Sequence, residues 1–142
     1  MAAEPVARQV PYWEVEALWP EVAPLLQKVV DVQDEWDLES VRQKLMTAPE
    51  NQALPMQLWH LSGKFAIVTQ VQAFPRGMRK CLLFMCGGQD PHAVARTVQA
   101  IEAWAGRYMA CRKMMISGRR GWLRFLDEYR VTNYVMEKDI CN

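Results

Sequence analysis

The sequence predicts one α/β (α+β) domain over residues 1–142, with a mixed, mostly antiparallel sheet of about six strands flanked by about four helices. Three observations carry this. Lys80 to Cys86 reads KCLLFMC, an apolar run of strand length that suits a strand covered on both faces, and Gly87 and Gly88 end it. A helix follows: Asp90 can accept from its first free amides, Pro91 suits its first position, and Val94, Val98, Ile101, Trp104, Ala105 and Tyr108 form one stripe. Ala110 to Ser117, ACRKMMIS, is then a second strand, so residues 80–117 form a strand-helix-strand crossover with the two strands parallel.

The remaining elements follow in order. Val6 to Val10 predicts a short first strand closed by Pro11, and Tyr12 to Leu18 an irregular lead-in. A helix is expected from Trp19 and Pro20, because Leu18, Val22, Leu25, Leu26 and Val29 recur at the helical period. Asp37 caps a second helix running to about Thr47, with Leu38, Val41 and Leu45 inward. Ala48 to Pro55 reads as a loop. Met56 to Leu61 and Phe65 to Phe74 flank Ser62-Gly63-Lys64, a hairpin turn, and their loose alternation suits strands covered on two faces. After Pro75 to Met78, a second turn, the run at Lys80 completes an antiparallel meander. Late in the chain, Trp122, Phe125, Leu126 and Tyr129 predict a last helix, and Val131 to Ile140 a closing strand.

Composition narrows the function classes. Hydrophobic residues make up 51% of the chain and six are tryptophan, which excludes disorder. A chain of this length buries roughly 70% of its unfolded surface without a staple. No apolar run reaches the length of a membrane span, and the N-terminus MAAEPVARQV lacks the apolar core of a signal peptide, so a cytoplasmic site of synthesis is expected. Four cysteines without CxxC spacing and two histidines support neither a metal site nor a disulfide framework. Residues 1–71 carry five basic and ten acidic side chains, and residues 72–142 carry twelve and six. Such polarity suits internal packing of acid on base, an anionic ligand on the second half, or head-to-tail association of copies. No interleaving of aromatic and basic residues on a strand face supports nucleic-acid binding.

The turn after Cys86 is the first candidate site, since backbone amides at a helix start and the positive end of its dipole favour phosphate. Its residues are Cys86, Gly87, Gly88, Gln89, His92 and Ala93. Arg119 and Arg120, between a strand and the last helix, either neutralise phosphates or solvate a loop set by Gly118 and Gly121.

The order strand, helix, helix, three antiparallel strands, helix, strand, helix, strand resembles the GNAT acyltransferase superfamily over essentially the whole chain. The words LWPEVAPLL, LWHLSGKFAIVTQV and ISGRRGWLRFLDEY resemble the small GNAT-like proteins encoded by tailed phages and prophages, GRRGW being the most specific. The resemblance implies that the amides of the turn bind the pyrophosphate of acetyl-CoA, that splayed strands beside it admit the pantetheine arm, and that a tyrosine on the last helix reprotonates the thiolate.

Two departures stand out. The family's Arg or Gln followed by GxG or GxA is replaced by Cys86-Gly87-Gly88-Gln89-Asp90-Pro91-His92, in which Asp90 competes for the amides and Pro91 removes a donor. Asp127 falls nearest the tyrosine position, leaving Tyr129, two residues on, a weak catalytic candidate; Glu35, His60 and Glu128 are generic candidate bases. The expectation is therefore a phage or prophage virion or assembly component of the head, neck or tail, made in the bacterial host cytoplasm. Its acyl transfer is lost, and its partners are virion proteins or further copies of itself. The alternative is an active N-acetyltransferase moving acetyl from acetyl-CoA to an amine, in which a bulky residue at Gly88 would abolish coenzyme binding and leave the fold intact.

Overall fold

A computed structural model describes residues 4–117, 124, 126 and 128–140 of the chain. Its five strands are β1 (Arg8–Val10), β2 (Met56–Leu61), β3 (Phe65–Ala73), β4 (Arg79–Gly88) and β5 (Lys113–Ile116). They form one sheet in sequence order, antiparallel from β1 to β4 and parallel between β4 and β5. Helices α1 (Val15–Val30) and α2 (Leu38–Met46) cover one face and α3 (Pro91–Tyr108) the other. The predicted mixed architecture is observed, including the hairpin at Ser62-Gly63-Lys64 and the crossover.

Two-sided covering explains why β2 and β3 alternate so loosely. Leu58, Ala66 and Val68 pack with Val22, Leu26, Val41 and Leu45, while Trp59, Phe65 and Ile67 pack with Val94, Val98 and Ile101. Polar side chains within this core satisfy one another: Trp59 Nε1 donates to Thr69 Oγ1 (3.0 Å), which donates to Gln57 Oε1 (2.7 Å).

Helix α1 begins earlier than the periodicity suggests. A turn of 3₁₀ helix at Tyr12–Glu14 leads into it, so most of the expected irregular lead-in is helical. Pro20 and Pro24 lie inside it, each removing a helical hydrogen bond, but both are on the exposed face, where water can serve the freed carbonyls. Buried Val15, Val22, Leu26 and Val30 hold the helix to the sheet despite them. Asp37 caps α2 as expected, accepting from the Ser40 amide at 2.7 Å.

The C-terminal reading changes. Trp122 and Phe125 of the expected last helix lie outside the described residues; Leu126 is buried, and the Tyr129 amide closes a turn on its carbonyl at 3.0 Å. Val131 to Ile140 do not form the expected closing strand: all ten are exposed and pair with nothing among the described residues. Strand-length sequence makes a strand possible, but only a neighbouring strand and a covered face make one stable. Tyr108, expected in the α3 stripe, is also exposed, at the end of the helix.

Candidate functional site

Two features of β4 shape the region around the turn. Its register against β3 slips between Val68 and Thr69, which pair with Met85 and Leu83, so Phe84 has no opposite residue. On its other side β4 pairs with β5 only from Lys80 to Leu83. Phe84 to Gly88 therefore have no strand beside them there among the described residues, and the sheet opens between β4 and β5.

Both glycines belong to β4, opposite Ala66 and Phe65, rather than ending it before the turn. Each is required by packing. A Cβ on Gly87 would overlap the Leu25 carbonyl oxygen, because α1 crosses the strand in backbone contact. At Gly88, φ is +132° and a Cβ would overlap the Lys64 carbonyl oxygen and lie 2.5 Å from Phe65 Cα.

Two of the amides beyond them already have partners. Gln89 N–H donates to the Lys64 carbonyl at 2.8 Å. Asp90 sits in the left-handed region (φ 71°, ψ 72°), and its carboxylate accepts from the Ala93 amide at 3.1 Å. Pro91 has no N–H to offer. Cys86 is half-buried, and burial pushes its thiol up to about 12, so it stays neutral at physiological pH. His92 is exposed and Ala93 fully buried.

Tyr129 lies elsewhere. Its hydroxyl donates to Glu102 Oε1 at 2.5 Å, and together they line a cleft of about 520 Å³ with Lys80, Cys111, Lys113 and Glu128. Lys80 is near the start of β4 and the turn at its end, about 26 Å away along a strand. Burial first, then the Glu102 carboxylate, pushes the Tyr129 phenol well above its ordinary value.

No family model matches the chain, and comparison with curated proteins finds no match. Solved structures do match. Glucosamine-6-phosphate N-acetyltransferase from Arabidopsis thaliana superposes with a TM-score of 0.66 at 10% identity, covering 95% of this chain and 97% of that one. Ribosomal-protein-alanine N-acetyltransferase from Brucella melitensis biovar Abortus 2308 gives 0.58 at 12% identity, covering 94% and 98%. A possible acetyltransferase from Clostridium difficile 630 gives 0.62 at 8% identity, covering 96% and 97%. The chain has the GNAT acetyltransferase fold.

On this GNAT frame the turn is where the resemblance puts the coenzyme pyrophosphate, and its residues fit that group poorly. The Asp90 carboxylate takes the position an anion would occupy on the Ala93 amide, and its charge repels another anion there. Substituting Gly88 also cannot leave the fold intact, as the sequence reading expected, because the space for a side chain is filled by β3. Cys86, Gly87, Gly88, Gln89, His92 and Ala93 thus come together as one segment in which the Gln89 and Ala93 amides are already taken. Arg119, Arg120 and Asp127 lie outside the described residues.

The other candidate bases serve the scaffold or solvent. His60 is buried in β2 with Nε2 3.4 Å from Glu21 Oε1, within ion-pair distance but without hydrogen-bond geometry. That carboxylate accepts from Ser62 Oγ (2.6 Å) and the Gly63 amide (3.2 Å), fastening the hairpin to α1; these bonds hold Glu21 below its ordinary value. Glu35 and Glu128 are exposed. Sequence reasoning missed Glu21 and Glu102, since nothing local marks a carboxylate whose partner is distant in the chain.

Alkaline stability follows from the same environments. Burial pushes the Cys81 and Cys86 thiols up from 9.0 to about 12, and Tyr129 is raised from 10.0. Groups whose native pKa is raised stabilise the fold fully below their unfolded value and lose that contribution as pH rises beyond it. Urea unfolding at a series of pH values should therefore show stability falling above about pH 9, with Tyr129→Phe removing the part that sets in above about pH 10. A profile unchanged by Tyr129→Phe would contradict the partly buried Tyr129–Glu102 bond.

Proposed function

We propose that this protein is a GNAT-fold assembly component of a phage or prophage particle, made in the host cytoplasm, in which the fold works as a scaffold rather than an acyltransferase. The observation that carries the loss of acyl transfer is the Asp90 carboxylate on the Ala93 amide, where a pyrophosphate would have to bind. The words LWPEVAPLL, LWHLSGKFAIVTQV and ISGRRGWLRFLDEY support the particle assignment.

Quantitative mass spectrometry of purified particles, or of assembly intermediates from infected or induced cells, tests the assignment. The protein should be present in fixed proportion to another structural component. Its absence from both would overturn the reading.

A second reading is an N-acetyltransferase that transfers acetyl from acetyl-CoA to an amine. The opening between β4 and β5 favours it, since unpaired strand backbone beyond Leu83 suits an extended pantetheine arm. It requires acetyl-CoA to bind, which the first reading does not.

A further inference from the structure

The connection between α1 and α2 is a rigid corner. Gln33, half-buried, donates through Nε2 to the Val30 and Trp36 carbonyls (2.8 and 2.6 Å) and accepts through Oε1 from the Glu35 and Trp36 amides (2.8 and 2.7 Å). One side chain thus fixes residues 30–36, and the Trp36 ring anchors them edge-on against Phe84 of β4. Asp31, Asp34 and Glu35 are exposed on the corner around Val32, itself 69% exposed. An ordered turn of this kind has already met the entropy cost that a flexible loop would meet on binding.

The opposite charge gathers at the start of β4 and β5. Their parallel register sets Lys80 directly opposite Lys113, and the Arg79 carbonyl accepts the Arg112 amide at 2.9 Å, so two cationic residues of each strand stand side by side. Like charges placed opposite one another destabilise a sheet, and an anion beside them offsets that cost. Lys80, Arg112, Lys113 and Arg130 line the cleft of about 520 Å³ beside Tyr129, and Met114 and Met115 add apolar wall. Its two acids are Glu102, bonded to Tyr129, and Glu128, so positive charge dominates there.

We infer that the α1–α2 corner of one copy of this chain docks in this cleft of the next, with Val32 against the methionines and Asp31, Asp34 and Glu35 toward the cations. The chain's own corner cannot reach its own cleft. Corner and cleft lie on opposite faces of the sheet, one covered by α1 and α2, the other by α3, whose Glu102 and Ala105 line the cleft. They are also separated along β4: Leu25 and Val29 of α1 pack at Gly87, about 23 Å along the strand from Lys80. Two sites on opposite sides of one body cannot both be filled by a single partner, so the contact is head-to-tail and assembly continues past two copies. The inference depends on neither the particle assignment nor the loss of acyl transfer, and its failure would leave both unchanged.

Sedimentation velocity on the full chain at low ionic strength should show species heavier than two copies, which dissociate as salt is raised from about 0.05 M to about 0.5 M. Asp34→Lys with Glu35→Lys, and separately Arg112→Glu with Lys113→Glu, should each weaken association at least about tenfold. An equal mixture of these two variants should associate again, because each supplies the charge the other lacks. All four side chains are exposed, so both variants should stay folded. Lys113→Glu alone should unfold at a higher temperature than the natural chain, since it ends the repulsion with Lys80. Glu50→Lys, exposed away from the corner, should associate as the natural chain does. A monomer at low salt, a species that stops at two copies, association indifferent to both reversals, or variants that stay apart when mixed would overturn the proposal.

Discussion

Gly88→Ala is expected to cost about 4 kcal/mol or more, which would leave little of the 5–15 kcal/mol that usually holds a domain together. Two causes add. At φ +132° any L side chain is strained, and the new methyl would meet the carbonyl oxygen of Lys64, in the hairpin turn, and the backbone of Phe65, which opens the strand paired with it. Backbone atoms of a hydrogen-bonded ladder cannot step aside as a flexible side chain would. Gly87→Ala should cost nearly as much, since relief there requires α1 to move away from β4 at Leu25. Gly63 provides the control: its φ is also positive, at +72°, but nothing lies within 4 Å of the added atom, so alanine should cost only about 1 kcal/mol. Urea unfolding of the three variants measures the order directly. Equal losses at Gly63 and Gly88 would mean that close approach contributes nothing.

Phe65→Ala should be the most damaging of the ordinary core truncations, at about 3–5 kcal/mol. Phe65 is fully buried and opens β3 directly opposite Gly88. Its side chain belongs to the cluster that includes Ile67, Val94 and Val98, so removing it leaves a cavity between the sheet and α3. Because the neighbouring Lys64 carbonyl receives the Gln89 amide, the start of α3 should loosen as well, and Gln89 should gain in hydrogen-exchange rate. A loss below about 1 kcal/mol would show that the site collapses around the gap.

The parts of the fold that could be read in the sequence are those fixed by near neighbours. Ser62-Gly63-Lys64 marks its own turn, Asp37 and Asp90 announce the caps they make, and the stripe from Val94 to Ala105 needs only the helical period. Where the cause lies far along the chain, the reading stopped short. The helix was expected to start at Trp19 and Pro20, because only the packed structure shows that Pro20 sits on the solvent face inside a helix that begins at Val15. Val131 to Ile140 read as a closing strand, yet nothing local says what such a strand would pair with.

The candidate site divides in the same way. Asp90 and Pro91 could be weighed against a phosphate from local chemistry alone, and the structure adds the bond to Ala93 that makes the conflict concrete. The reason for two adjacent glycines could not be read locally, since it lies at Leu25 and Lys64. Tyr129 was chosen by its position on an expected helix, whereas its partner Glu102 comes from α3 and lies toward the end of β4 away from the turn.

Thermal unfolding with and without acetyl-CoA tests the central claim most directly, using Asp90→Asn beside the natural chain. Asparagine tolerates the left-handed conformation and can still cap α3, so the variant should stay folded while losing the repelling charge. The natural chain should show no change in midpoint at a coenzyme concentration that would saturate an acetyltransferase. A rise of several degrees in the natural chain, the equivalent of about 2.7 kcal/mol at a hundred times the dissociation constant, would contradict the account and establish that the chain binds coenzyme despite Asp90.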